Sequence, residues 1–493
     1  MTQKDTRLGK IQGKTIGNVQ VFFGIRFGQA PVGPLRFKKS VAAGPWTDEI
    51  YDATGPRHCA MQPPPTDFFK ANSRRVNAEP TYDEDCLFLN IYTPSADSKK
   101  RPVLYWIHGG SFVTGSGYEY DGRVLAQQGD VVVVTVNYRL GLLGFMDLSH
   151  FGEDYRGSAS NGIADQILGL EWVRDNIADY DGDPENVTLF GESAGAASVN
   201  GIMAAPRADG LYHRAIAHSG QAAATPPASI APLIADHLQI DLEELPEKLA
   251  SMSADEIIAM QIASGTGGSL NVDGTVIIRS TVQAIVDRGS HGVPYIAGSN
   301  ANEGTLFTFL MPGNDETYEQ VATIIATMAL DGANPQAYLA ALKEHYPELS
   351  IQARYELVWN DLLRRASINL AEAASAAGPG GWLYRFDLPT NIGGGKLGAT
   401  HASEIAFTFN TFADAQAGGV VMHDREDPVV LKLAQQWSQT VLNFAKTGDP
   451  NGGGLPTWPR YDDSTRQSLV LDAESWLADA ALDQVHRQLW MTE

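Results

Sequence analysis

The turn Gly191-Glu192-Ser193-Ala194-Gly195 constrains the fold of this chain more than any other stretch of its sequence. An apolar run at 187–190 precedes it and small residues at 196–199 follow it, which predicts a buried strand, a tight turn and a helix with almost no linker. The five-residue pattern alone is weak in a chain with 49 glycines, and the flanking strand and helix make it specific. Such a turn strains the backbone of the serine and exposes its hydroxyl at the tip of a sheet. The sequence therefore predicts Ser193 as a nucleophile, beside free N–H groups of the next helix.

The length of 493 residues fits two or three average domains, or one large α/β core that carries insertions. No Pro/Ser-rich linker and no fixed repeat interrupts the sequence, which favours a single domain over residues 1–493. Two Ala-rich segments with helical character, near 223–290 and 315–377, are expected to be cap insertions, and we assign no chemistry to them.

The charge balance disfavours some classes of partner. Against 58 Asp and Glu residues the chain has 36 Lys and Arg, so its net charge of −22 repels nucleic acid and anionic membrane surfaces. The longest aliphatic run, 131–134, is far too short to span a bilayer, and the polar start of the sequence does not resemble a signal peptide. We therefore expect a cytoplasmic protein, with a secreted one as the alternative if the sequence has already been processed. Its acidity is expected to serve solubility rather than the steering of cationic substrates.

Apolar runs and periodicity predict an alternation of strands and helices. Strands or a hairpin are predicted at 15–25, 84–92, 102–107, 131–136, 215–219, 293–298 and 382–386, and helices at 163–178, as an amphipathic crossover, and at 429–446. This alternation predicts an α/β fold with a mostly parallel sheet covered on both faces. The Pro-rich and charged segment 59–80 is interpreted as a long loop, either over the mouth of a site or as surface decoration.

The pair Gly109-Gly110 follows the predicted strand at 102–107. A glycine pair at the end of a buried strand suits an oxyanion hole, because two bare N–H groups must approach one developing negative oxygen. The alternative is a turn that simply ends the strand. The strand at 131–136 and the Gly191–Gly195 turn follow at suitable distances, which favours the oxyanion hole.

A nucleophilic serine needs a histidine base, and the chain has 11 histidines. His108 and His218 lie in predicted strands and are expected to be framework groups. His401 follows a glycine-rich loop after a late strand, where this kind of fold presents its base, and His423 is the second candidate.

The base in turn needs an orienting carboxylate. Glu303 follows the strand that ends at Gly298, at the carboxyl edge of the predicted sheet. The sequence pattern alone does not distinguish an orienting carboxylate from a solvated surface glutamate. The position of Glu303 at this edge of the sheet favours it as the acid.

Taken together, these motifs resemble the type B carboxylesterase family, which includes cholinesterases and bacterial para-nitrobenzyl esterases. The resemblance covers most of the chain, and its motifs are Phe22 to Gly33, 84–94, His108 to Phe112, 137–141, 183–195, Glu303-Gly304, His401 with Glu404, 444–451 and Trp458-Pro459. So many matches in one order are highly specific.

The resemblance implies an α/β-hydrolase fold and a serine carboxylesterase that forms an acyl-enzyme. It implies a triad of Ser193, Glu303 and His401, and an oxyanion hole from the N–H groups of Gly110, Ser111 and Ala194. The expected partner is a small-molecule ester, no cofactor or metal is implied, and the sequence leaves monomer and dimer open.

Departures from the family pattern bear on specificity. Ser111 stands where many members have a third glycine, so its side chain narrows or polarises the acyl side and disfavours bulky tertiary-alcohol esters. No tryptophan lies between Cys59 and Cys86, where cholinesterases carry their choline-stacking residue, so that activity is not expected. The two cysteines match the family's first disulfide pair, although a cytoplasmic location favours thiols.

Two other functions remain open at this point. One is a specialist hydrolase that acts on a carbamate, amide or toxin ester at the same site. The cap segments would determine whether the protein is such a specialist. The other is a non-catalytic scaffold or adhesion domain, which predicts loss of the serine or the histidine. It ranks last, because Ser193 and His401 are both present.

Overall fold

A computed structural model describes residues 1–74, 80–94, 97, 99–223, 225–329 and 334–491. These residues form two compact units. The first comprises Met1–Ala215, Ala223–Thr281 and Gln416–Gly419, and the second comprises Ile216–Ala222, Val282–Ala415 and Val420–Glu493. The single domain over 1–493 stays a prediction.

The strands of the described residues are, in chain order, β1 (Thr2–Thr6), β2 (Gly9–Ile16), β3 (Val19–Arg26), β4 (Tyr51–Asp52), β5 (Cys59–Ala60), β6 (Ser73–Arg74), β7 (Tyr82–Asp83), β8 (Phe88–Pro94), β9 (Arg101–Ile107), β10 (Val132–Val136), β11 (Gly182–Glu192), β12 (Arg214–His218), β13 (Tyr295–Asn300), β14 (Gly381–Phe386), β15 (Gly419–Val420), β16 (Ser468–Leu471) and β17 (Trp476–Ala478).

The α-helices of the described residues are α1 (Asp67–Asn72), α2 (Arg123–Gly129), α3 (Gly141–Phe145), α4 (Asn161–Asn176), α5 (Ala194–Met203), α6 (Ala231–Leu238), α7 (Leu245–Ser251), α8 (Ala254–Ser264), α9 (Thr281–Arg288), α10 (Gly304–Leu310), α11 (Asp315–Ala329), α12 (Pro335–His345), α13 (Ile351–Ala377), α14 (Ile405–Thr408), α15 (Pro428–Thr447) and α16 (Gln484–Trp490).

The first unit contains a mixed sheet whose strands lie in the order β1-β2-β3-β8-β10-β9-β11. β9 runs parallel to β10 and β11, and its register pairs Tyr105 with Val134 and with Leu189. β8 pairs antiparallel with β10, and β3 pairs antiparallel with β8. Strand β10 is fully buried and consists of β-branched residues, and β9 is buried except at Pro102, as expected for strands covered on both faces.

The second unit contains strands in the order β13-β14-β16-β17, with the end of β12 beside β13. β14 is parallel to both β13 and β16, and β17 is antiparallel. The long helix α13 packs on β13 and β14. On α15, the Trp437 ring lies 4.8 Å from the ring of Tyr384 in β14, and its Nε1 donates to Thr408 at 3.0 Å.

Helices fill much of the two segments that the sequence predicts to be helical. In the first segment α6, α7 and α8 share an apolar core with α3, made by residues such as Leu142, Ile234, Leu249 and Ile257. α11, α12 and α13 occupy the second segment. Residues 224 and 330–333 of these segments lie outside the described residues.

Two predictions of local structure need correction. Helix α4 is not amphipathic, since nearly all of its residues are buried. Its polar side chains bind buried partners instead of water: Asp165 pairs with Arg139 at 2.7 Å, and Gln166 donates to Ser198 at 3.0 Å. The predicted loop at 59–80 contains the short helix α1, and its residues 75–79 lie outside the described residues.

Cys59 and Cys86, both within the described part of the chain, are buried thiols and form no disulfide. Burial raises the pKa of the Cys86 thiol well above its ordinary value, which disfavours the reactive thiolate. Across the described residues, no helix combines the length and the apolar character needed to cross a membrane.

Candidate active site

In the first unit, strand β11 and helix α5 meet at Ser193, whose backbone lies at φ +57° and ψ −123°. This is a strained conformation for a residue with a side chain. A Cβ atom on Gly195 would lie 2.0 Å from the carbonyl oxygen of Ile107, and one on Gly191 would lie 2.5 Å from the carbonyl carbon of Gly195. Only glycine fits at both positions, so the turn holds half-buried Ser193 against the end of β9.

The loop after β9 lies directly against this turn. A Cβ atom on Gly109 would lie 2.7 Å from the carbonyl oxygen of Glu192 and 3.1 Å from Cβ of Ser193. Gly110, Ser111 and Phe112 all have positive φ, at +108°, +57° and +59°. Three successive residues with positive φ make a sharp turn of the backbone after β9.

The N–H groups beside the serine are available to a ligand. In the described part of the chain, no group accepts a hydrogen bond from the backbone N–H of Gly110, Ser111 or Ala194. Ala194 is the first residue of α5, where the positive end of the helix dipole also favours an anion.

The Gly110–Phe112 loop packs against the start of α3 and the segment after α8. The Phe112 carbonyl accepts from the N–H of Gly141 at 2.7 Å. A Cβ atom on Gly268 would lie 2.4 Å from Cβ of Phe112 and 2.9 Å from the ring of Phe145. The buried side chain of Gln261, on α8, accepts from the N–H of Leu142 at 2.8 Å. Sequence reasoning assigned no role to this segment.

In the second unit, Glu303 and His401 form a buried pair. Oε2 of Glu303 lies 2.6 Å from Nδ1 of His401, and the residues are 0% and 5% exposed. The loops that carry them are joined through Asn302, whose N–H donates to the Ala399 carbonyl at 2.9 Å and whose side chain accepts from the Ala399 N–H at 3.0 Å. Burial excludes the solvated surface glutamate that the sequence left open.

The other oxygen of Glu303, Oε1, is also satisfied. It accepts from the Ser219 hydroxyl at 2.5 Å and from the backbone N–H of Asn300 at 2.6 Å. These contacts hold the Glu303 carboxylate in one orientation and with it the ring of His401. Sequence reasoning missed Ser219, whose only signal was its place just after strand β12.

A second buried carboxylate, Glu404, lies one turn beyond His401. The Asn300 side chain donates to Glu404 Oε2 at 2.6 Å and to the Thr400 carbonyl at 2.7 Å. Burial and the negative charge of Glu303 raise the pKa of Glu404 from 4.5 to about 7. On another side of His401, the Phe307 ring lies 5.1 Å from the imidazole and stacks on Trp359 at 3.9 Å.

Similarity to known proteins agrees with this chemistry. The profile of the carboxylesterase family matches residues 2–490. The chain belongs to the carboxylesterase family. Para-nitrobenzyl esterase of Bacillus subtilis (strain 168) is 34% identical over 489 residues, which cover 95% of this chain and 94% of that protein. Human carboxylesterase 3 is 32% identical, with 93% of this chain and 85% of that protein covered.

Solved structures of esterases superpose on the chain. A para-nitrobenzyl esterase matches with a TM-score of 0.86 and 31% identity over 99% of both chains. A Geobacillus stearothermophilus carboxylesterase matches with a TM-score of 0.84 and 33% identity over 100% of both chains. This carboxylesterase therefore has the α/β-hydrolase fold and is a serine hydrolase of carboxylic esters, which confirms the predicted fold class, family and reaction.

Among the predicted histidines, His401 is the one with a carboxylate at hydrogen-bonding distance. His108 contacts the Gly109 carbonyl at 2.8 Å, and His218 contacts the Tyr384 hydroxyl at 2.7 Å. His423 lies 3.3 Å from the Leu388 carbonyl. Burial lowers the pKa of His108 and His423 to about 4 and that of His218 to about 3, so all three are neutral framework groups at pH 7.

Of the predicted site residues, Gly110, Ser111, Ser193 and Ala194 belong to the first unit, and Glu303 and His401 belong to the second. Among the described residues, no three His, Cys, Asp or Glu side chains are grouped closely enough to hold a metal ion.

The substitution Gly268→Ala is expected to slow ester hydrolysis by about tenfold or more, with little change in KM. The added methyl group would push Phe112, and with it the N–H groups beside Ser193. Steady-state kinetics with a chromogenic ester measure the effect. Gly55→Ala is the matched control, because Gly55 has open space around it. Equal kcat values in the two variants would show that the segment after α8 does not position the loop.

The substitution Glu404→Gln is expected to change how stability depends on pH. Because the pKa of Glu404 is raised from 4.5 to about 7, the folded protein binds more protons than the unfolded chain between those values. The free energy of unfolding of the native protein therefore falls as the pH rises between these two pKa values, by up to about 1.4 kcal/mol per pH unit. Glu404→Gln has no group that titrates at this position, so its free energy of unfolding does not show this fall.

Tm values measured from about pH 5 to about pH 7.5 test this linkage. The Tm of Glu404→Gln relative to the native protein should rise with pH. The exposed control Glu474→Gln should show a constant difference. A constant difference for Glu404→Gln as well would contradict a raised pKa.

Proposed function

We propose that Ser193, His401 and Glu303 are the catalytic triad of this carboxylesterase, and that the N–H groups of Gly110, Ser111 and Ala194 form its oxyanion hole. The observation that carries the proposal is the buried contact of 2.6 Å between Glu303 Oε2 and His401 Nδ1. The strained backbone of Ser193 and the unoccupied N–H groups near it support the remaining roles. The order serine, acid, histidine along the chain is that of α/β hydrolases.

The proposed reaction has two halves. His401 takes the proton of the Ser193 hydroxyl as Oγ attacks the ester carbonyl, and Glu303 stabilises the imidazolium that forms. The tetrahedral intermediate collapses to an acyl-enzyme, and the alcohol leaves with the proton from His401. Water, activated by the same histidine, then releases the acid and regenerates the serine. Each N–H donor to the oxyanion contributes about 2.7–4 kcal/mol to transition-state stabilisation.

We infer that the substrates are small neutral esters. Ser111 occupies the oxyanion loop with a left-handed backbone, so its side chain adds bulk and a hydroxyl beside the N–H donors. Esters of bulky tertiary alcohols are expected to be poor substrates for this reason. The para-nitrobenzyl esterase among its relatives supports chromogenic aromatic esters as useful probes.

We also propose that both units act as one α/β-hydrolase domain, in the cytoplasm and without nucleic acid or membrane partners. The thiols of Cys59 and Cys86 suit a reducing compartment, and the net charge of −22 suits a protein that avoids polyanions.

Hydrolysis of para-nitrophenyl acetate and butyrate by the native protein and by Ser193→Ala tests the proposal. Turnover is expected in the native protein and loss of nearly all of it in the variant, because no other hydroxyl is on the strained turn. Equal turnover in both would mean that Ser193 is not the nucleophile. A Tm close to that of the native protein would establish that the variant is folded.

The acid assignment has its own test, Glu303→Gln. An amide cannot stabilise the imidazolium, so kcat is expected to fall by about 10⁴-fold while the protein stays folded. The control Glu474→Gln removes an exposed carboxylate and should keep native kcat. Near-native turnover of Glu303→Gln would reject Glu303 as the acid.

A further inference from the structure

The second unit contains a cavity of about 340 Å³ between helices α11, α12 and α13. Its volume lies within the range of small-molecule sites. Its lining residues come from the described parts of those three helices.

The floor of this cavity is apolar. Tyr318, Ala322, Leu342, Tyr355 and Val358 are all buried side chains that line it. The rings of Tyr318 and Tyr355 stack with centroids 5.1 Å apart, which gives the floor a fixed shape. An alkyl chain or an aromatic ring would gain free energy by covering this surface.

The rim of the cavity is positively charged. Lys343 and Arg354 both line it, and within the described residues neither forms an ion pair. The guanidinium of Arg354 donates to the Leu349 carbonyl, which orients it without neutralising its charge. The lining has one carboxylate, Glu319.

We propose that this cavity binds a small amphiphilic carboxylate. Its apolar tail lies on the floor, and its carboxylate lies between Lys343 and Arg354, where both cations gain a counter-charge. The acids released by ester hydrolysis have this chemistry, and so do free fatty acids of medium length.

Helix α13 connects the cavity to the loop of Glu303. Its residues Arg354, Tyr355 and Val358 line the cavity. The turn of the helix after Val358 contacts the loop that carries Glu303. Asn360 accepts from the N–H of Gly304 at 2.9 Å. A bound carboxylate that shifts α13 is therefore expected to alter turnover as well. This second effect rests on the proposed role of Glu303, whereas binding itself does not.

Isothermal titration of the full chain with sodium octanoate tests the proposal. We expect about one octanoate per chain, and a Kd at least about tenfold higher for octan-1-ol, which lacks the charge. The double variant Lys343→Met, Arg354→Gln should weaken octanoate binding by about tenfold or more.

A second variant tests the cavity by its volume. Ala340→Trp, which adds bulk at the exposed edge of the cavity, should abolish octanoate binding. Lys432→Ala, which removes an exposed cation of α15, should bind as the native protein does.

Two results would overturn the proposal. The first is that octanoate does not bind the native protein saturably. The second is that all variants bind octanoate with the affinity of the native protein. Octanoate would then bind elsewhere, for example as a product at the reaction site. Circular dichroism and Tm establish that each variant is folded. The titration can be repeated with Ser193→Ala, so failure of the cavity and failure of the proposed nucleophile give different results.

Discussion

The contact between the Gly191–Gly195 turn and the end of β9 is the constraint on which the rest of the first unit depends. Gly195 approaches the Ile107 carbonyl so closely that any side chain would overlap it. This approach sets the backbone of Ser193 in its strained conformation, and it brings Gly109 against Glu192. Strain of this kind costs about 1–3 kcal/mol, and the buried parallel strands around it supply the stabilisation that maintains it.

In the second unit the corresponding constraint is electrostatic. Glu303 and Glu404 are both fully buried, and Asn300 joins them by donating its backbone N–H to one and its side-chain amide to the other. Two negative charges so close together in a medium of low dielectric repel strongly. Burial and the charge of Glu303 raise the pKa of Glu404, which favours a proton on Glu404, so His401 faces a single carboxylate charge.

Local signals in the sequence predicted much of this structure. The strands β9, β10 and β14 and the helix α15 lie within one residue of their predicted bounds, because each has a clear apolar pattern in sequence. The strand predicted before the serine turn is present as β11 but begins five residues earlier than the apolar run at 187–190. The amphipathic reading of α4 was wrong, since Asp165 and Gln166 look solvent-facing in sequence and bind Arg139 and Ser198 in the core.

The candidate site was less accessible to sequence reasoning. Ser219 meets Glu303 across 84 positions of sequence, and Gln261 reaches the N–H of Leu142 across 119. Periodicity and turn chemistry carry no information about such distant partners. Motifs could single out Ser193, Glu303 and His401, but the residues that orient them became visible only when the chain was folded.

The left-handed backbone of Ser111 and Phe112 has a consequence for what holds the loop in shape. Glycine would adopt these angles without strain, whereas a residue with a side chain prefers negative φ. The loop therefore keeps its conformation only while its neighbours restrain it, through the contact of Gly268 with Phe112 and the bond from the Gly141 N–H to the Phe112 carbonyl. The orientation of its N–H groups is thus a property of the tertiary structure and not of the local sequence.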